Sequence, residues 1–171
     1  MKSRNIAIAC GVAGVAVGLA AATGIVYHKQ IKSAASLKRL TGYVDGYDLY
    51  AIDIAYDYDL DRIIAAGVRD DQAYIDAVVA QVLPGVPAHV QAPQFGCSAF
   101  ATVLDRHIVM GRNYDFKRDT SAMLVYCAPK NGYKSVALTA LDNISANDPE
   151  AGLKKKLACL TAPFICLDGM N

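Results

Sequence analysis

Gly96-Cys97-Ser98-Ala99-Phe100-Ala101-Thr102-Val103-Leu104-Asp105-Arg106-His107-Ile108-Val109-Met110-Gly111-Arg112-Asn113-Tyr114-Asp115-Phe116 holds two apolar runs around a polar turn. Ser98 to Leu104 is rich in small and β-branched residues, and Ile108 to Met110 forms the second run. Asp105-Arg106-His107 reads as the turn between them, so the stretch predicts a β-hairpin. Antiparallel strands bring the two ends of a hairpin side by side. Cys97 opens the first strand, and Arg112 and Asp115 close the second. The three are thereby expected to be neighbours in space. Residues three apart on a regular strand face opposite sides, so bringing both Arg112 and Asp115 to the thiol requires a bend at Asn113-Tyr114.

This grouping has a chemical logic. A thiol is a nucleophile as thiolate, and a nearby guanidinium favours that anion. A carboxylate can hold an ammonium group. No histidine is placed to act as base: His28 and His89 lie upstream, and His107 sits at the turn. The remaining base is the α-amine of Cys97 itself, if the chain is cut after Gly96. Such an amine titrates at about 7.7–8.0, and pairing a nucleophile with an N-terminal amine is one route to activating it. Gly96 suits a cut because, without a side chain, it lets the thiol reach the preceding carbonyl. Without further signals, a cysteine at a strand start is more often a small buried hydrophobe, and an arginine and aspartate three apart are an ordinary surface pair.

The further signals are Phe95-Gly96-Cys97-Ser98-Ala99-Phe100, Gly111-Arg112-Asn113-Tyr114-Asp115-Phe116, Ala162-Pro163-Phe164 and Asp168-Gly169-Met170-Asn171. In order and spacing these motifs resemble the linear amide C–N hydrolases, which include choloylglycine (bile salt) hydrolase and penicillin V acylase. Those are N-terminal-nucleophile enzymes, and the resemblance runs from Gly96 to the last residue. It implies an α+β fold, the N-terminal part of an αββα sandwich with antiparallel sheets. It implies Cys97 as nucleophile, autoproteolysis between Gly96 and Cys97, and Arg112 and Asp115 beside the thiol. The implied substrate is a small-molecule amide, whether a bile salt, penicillin V or an N-acyl amide, with no cofactor and no metal. The family's oxyanion asparagine lies beyond the Asp-Gly-Met-Asn motif, so the expectation is a fragment that is inactive alone.

Outward from this centre, the other 1–96 residues divide by composition. Residues 1–29 are a signal anchor or signal peptide: Lys2 and Arg4 precede an uncharged run from Asn5 to Tyr27, long enough to span a bilayer. Ala20-Ala21-Ala22 would also serve a cleaved signal. The expected location is thus the bacterial cell membrane, held through residues 5–27, or the exterior. Residues 30–41 are a basic linker, read equally as an amphipathic helix up to Leu40. Residues 42–96 form an acidic prosegment or α-chain with nine aspartates opposed by Arg62 and Arg69. Asp57, Asp59 and Asp61 alternate, but an EF-hand loop would want glycine at Arg62 and glutamate at Val68. Their reading is a solvated face. Leu49 to Ala55 suits a strand and Asp59 to Ala66 a helix. Asp71 to Leu83 reads as a helix capped by Asp70 or Asp71, with Ile75, Val78, Val79 and Val82 as its apolar stripe and Pro84-Gly85 as its stop.

Residues 97–171 start the hydrolase domain. Ala122 to Ala128 and Tyr133 to Leu141 read as a second hairpin, joined to the first in one four-stranded antiparallel sheet. Pro149 to Cys159 reads as helix. Of five cysteines, Cys127, Cys159 and Cys166 lie in apolar settings and are read as core thiols. A net charge of +1 nominates no nucleic acid. A single sheet layer would leave an apolar face prone to association, which admits a homo-oligomer. The competing reading is a non-catalytic, membrane-tethered fragment acting as an interaction module.

Overall fold

The computed structural model describes residues 24–44, 46–85, 97–114, 120–130 and 132–164. The chain is α+β, and its described residues form one four-stranded mixed sheet and one separate two-stranded antiparallel sheet. Helix α1 (His28–Ser36) leads through Leu37, in extended conformation, straight into strand β1 (Lys38–Thr41). Strand β1 pairs antiparallel with β2 (Leu49–Ile54), with a register irregularity between Arg39 and Thr41. Helices α2 (Leu60–Ala65) and α3 (Asp71–Val82) follow. The hairpin of β3 (Cys97–Leu104) and β4 (His107–Tyr114) comes next, and then the hairpin of β5 (Ala122–Cys127) and β6 (Ser135–Ala140). A 3-10 turn (Leu141–Ile144), helix α4 (Leu153–Ala158) and a 3-10 segment (Cys159–Phe164) complete the described chain.

The expected single antiparallel sheet built from the two hairpins does not form. The large sheet has the order β1-β2-β5-β6, with β2 and β5 parallel. The pairing follows from burial. Tyr50, Ile52 and Ile54 of β2 lie opposite Met123, Val125 and Cys127 of β5. All six are buried, so the two strands present their apolar residues to the core in phase. Parallel neighbours need a long crossover, and α2, α3 and the first hairpin supply it. The acidic stretch is therefore woven into the sheet rather than laid beside it.

Helix α3 forms where the apolar stripe placed it. The Asp70 side chain accepts from the Ala73 amide at 2.8 Å, and the helix ends just before Pro84. Its Ile75, Val78, Val79 and Val82 are buried in the same core as Ile52, Met123, Val125, Leu141 and Leu160. Helix α2 is shorter, capped by Asp59 accepting from the Arg62 amide at 3.1 Å and closed by Gly67 at φ 66°. The expected helix around residues 149–159 is present from Leu153 and tightens to 3-10 geometry at Cys159.

The basic linker differs from its reading. Its helix stops at Ser36, and Lys38, Arg39 and Leu40 are strand. No described helix is long and apolar enough to cross a membrane. All but the last four residues of the 5–27 run lie outside the described residues; of those four, 24–26 are helical, and Tyr27 interrupts the helix before α1.

Candidate active site

The β3–β4 hairpin turns at two residues, not three. Asp105 has φ 48° and Arg106 φ 67°, both left-handed, as a type I′ turn requires. His107 belongs to β4 and pairs with Leu104. Counting outward from that pair, Val103 meets Ile108, Ala101 meets Met110, Ala99 meets Arg112 and Cys97 meets Tyr114. Cys97 and Arg112 are thus diagonal neighbours in the register at the open end of the hairpin. Gly96 and Asp115 lie outside the described residues, so the expected contact of Asp115 with the thiol falls there too. His107 stands at the opposite end of the hairpin from Cys97.

Tyr114, directly across from Cys97, is the neighbour that the sequence reading missed. The signal was the turn length: a two-residue loop sets Leu104 against His107 and thereby every pair beyond. Gly111 of the Gly-Arg-Asn-Tyr-Asp motif has a cross-strand reason of its own. It pairs with Phe100, whose ring crosses over it; a Cβ at Gly111 would lie 2.4 Å from Phe100 Cε1. An aromatic ring laid over a glycine on the neighbouring strand is a known device for stabilising such a pair.

The described thiols outside the hairpin are of a different kind. Cys127 and Cys159 are buried thiols, neither in a disulfide. Burial pushes the Cys159 thiol up to about 12, and its Sγ donates to the Lys155 carbonyl at 3.4 Å. A thiol held neutral is a poor nucleophile, which fits the core reading of Cys159, and burial fits that of Cys127; Cys166 lies outside the described residues. The alternating aspartates also have structural work. Lys29 Nζ donates to Asp57 Oδ2 at 2.6 Å and holds this carboxyl below its ordinary range, while Lys130 Nζ lies 3.7 Å away. Asp59 caps α2 and exchanges two hydrogen bonds with the Gln81 side chain. Among the described residues no group of three or more His, Cys, Asp or Glu side chains is arranged to hold a metal ion.

From Phe100 to Val109 the hairpin is exposed. Phe100, Val103, Leu104 and Ile108 keep 64%, 71%, 63% and 72% of their surface. Cys97 therefore begins a strand whose large apolar side chains from Phe100 onward are exposed. No protein-family model, curated protein or solved structure matches this chain.

Proposed function

We propose that Cys97 is the N-terminal nucleophile of a linear amide C–N hydrolase of the choloylglycine hydrolase type, freed by cleavage at Gly96-Cys97. The observation that supports the reading is the β3–β4 register, in which the residue that starts β3 has Arg112 as a diagonal neighbour. The motifs in order, Phe95-Gly96-Cys97, Gly111-Arg112-Asn113-Tyr114-Asp115 and Asp168-Gly169-Met170-Asn171, support it independently.

The chemistry runs in two stages. In maturation the Cys97 thiol attacks the Gly96 carbonyl, the C–N bond breaks in favour of a thioester, and water hydrolyses that thioester. The product is a free α-amine on Cys97. In turnover the amine accepts the thiol proton as sulfur attacks the substrate carbonyl. The resulting ammonium gives that proton to the leaving amine as the substrate C–N bond breaks. Water then releases the acid from the acyl-cysteine. Arg112 favours the thiolate, and Asp115 holds the ammonium. The substrate is a small amide such as a bile salt, penicillin V or an N-acyl amide. A membrane hold through residues 5–27, or export, belongs to the same proposal.

The test is the N-terminus of the protein purified from its natural host. Edman sequencing is expected to find a chain beginning at Cys97, and Cys97→Ala is expected to abolish both the cut and amide hydrolysis. A processed chain that begins elsewhere overturns the amine base. Arg112→Gln is expected to slow alkylation of Cys97 at neutral pH. The exposed apolar side chains of the hairpin favour a second reading, a non-catalytic interaction module. Protein from the natural host that is neither cut at Gly96-Cys97 nor active on amides would select it.

A further inference from the structure

Strand β3 is eight residues of Cys, Ser, Ala, Phe, Ala, Thr, Val and Leu, without charge, proline or register irregularity. It pairs with β4 on one side; among the described residues no strand pairs with its other edge. Of the large sheet's two edge strands, β1 carries Lys38, Arg39 and an irregularity between Arg39 and Thr41, and β6 is neutral but shorter, at six residues. Charges and bulges are the usual guards against edge-to-edge pairing. Strand β3 has neither, and an isolated two-stranded hairpin is marginal in water. Its partner β4 is the more polar strand, with His107, Arg112 and Asn113.

We infer that the free edge of β3 pairs antiparallel with β3 of a second copy of this chain, making a four-stranded sheet of order β4-β3-β3-β4 across a two-fold axis. An axis normal to the sheet keeps each face continuous only if the register is centred on a residue. Centring on Ala101 sets Phe100 opposite Thr102, Val103 opposite Ala99 and Leu104 opposite Ser98. Each large side chain then meets a small one, and no charge meets its like. Strand addition of this kind takes its affinity from main-chain hydrogen bonds and its selectivity from alternate side chains. A neutral strand with this large–small alternation selects itself. The inference does not rest on the amidase reading, since nothing in the pairing uses the thiol chemistry.

Position-specific crosslinking of the full-length chain tests it, in a background with Cys10 and Cys97 replaced by alanine. Ala101→Cys meets its own copy at the axis, and single exposed replacements there leave the hairpin turn untouched. Disulfide geometry is narrow, so Ala101→Cys is expected to crosslink about tenfold faster than Ala99→Cys or Val103→Cys alone. A mixture of Ala99→Cys and Val103→Cys chains is expected to recover the fast rate. Light scattering is expected to give twice the monomer mass, and Val103→Lys is expected to return it to the monomer value. Equal crosslinking at all three positions, or a dimer insensitive to Val103→Lys, overturns the inference and points to association through the apolar N-terminal run. A monomer that binds lipid vesicles through the hairpin, with loss on Val103→Lys, overturns it in favour of a lipid surface. If catalysis fails but the crosslinking pattern holds, the inference stands alone.

Discussion

Asp105 and Arg106 hold left-handed backbone conformations at the tip of the hairpin, with φ of 48° and 67°. A left-handed conformation costs an L-residue about 1–2 kcal/mol, less for aspartate than for arginine. Asparagine and glycine are the residues that a type I′ turn favours. The double variant Asp105→Asn, Arg106→Gly is therefore expected to stabilise the hairpin by about 1 kcal/mol. Slower amide exchange along β3 and β4 is the measurement, because the hairpin is a separate sheet. Cys159 makes the opposite kind of statement. Its folded thiol titrates at about 12, above its ordinary value of 9.0. Folding thus favours the protonated form; this contribution is complete below pH 9 and is lost as pH rises from about 9 to about 12. Denaturant midpoints are expected to fall across that window, and the fall is expected to be smaller in Cys159→Ala, with the part owed to the buried Tyr50 hydroxyl, also raised by burial, remaining. The thiol is also expected to resist alkylation until the chain unfolds.

At the scale of elements, two serines clamp α1 to the end of β2. Ser33 is fully buried; its Oγ donates to the Lys29 carbonyl at 3.0 Å and accepts from the Ala55 amide at 2.8 Å. Ser36 Oγ accepts from the Asp53 amide at 2.9 Å and donates to the Ser33 carbonyl at 2.7 Å. Serine inside a helix competes with the helix's own bonds, and here that competition satisfies a β-strand leaving its sheet. Ser33→Ala leaves the half-buried Ala55 amide without its acceptor, which costs about 1 kcal/mol. Urea unfolding is expected to show the loss, and Ser33→Thr to keep most of it. None of this was legible beforehand, because a serine in a basic, mildly amphipathic run carries no sign of its partner. Helix α3 was legible in full. Its cap, stripe and stop are all local, and a local rule needs no knowledge of what the stripe is buried against.

For the whole molecule, the decisive contact is the parallel pairing of β2 with β5. Residues 49–54 and 122–127 pair along their whole length, and α3 shares its core with β5 and with the segment around Leu160. The site of the proposed cut, Gly96-Cys97, lies between these partners in the chain. A chain opened there, by its own thiol or at an inserted protease site, is expected to keep its two pieces together in native size exclusion. Urea is expected to separate them. Val125→Asp, buried at the centre of β5, is expected to separate them without urea, since an unpaired carboxylate buried among apolar side chains carries a large desolvation penalty.

The sequence by itself determined what depends on neighbours in the chain. That covers α3, with its cap at Asp70 or Asp71, the strand at Leu49, both hairpins and the apolar settings of Cys127 and Cys159. It also set the order of the motifs around Cys97 and Arg112, on which the proposed chemistry rests. Only the tertiary structure decided which strands pair. An alternating apolar strand such as β5 fits any neighbour whose apolar face is in phase. The choice of β2 over β4 came from burial: Tyr50, Ile52 and Ile54 lie in the same buried core as Ile75, Val78 and Val82 of α3, while Phe100, Val103, Leu104 and Ile108 stay exposed. The one-residue difference in turn length, which made Tyr114 the partner of Cys97, had the same origin. Asp-Arg lacks the glycine that marks a two-residue turn, and it was the cross-strand pairing, from Leu104-His107 to Cys97-Tyr114, that held two ordinary residues at positive φ.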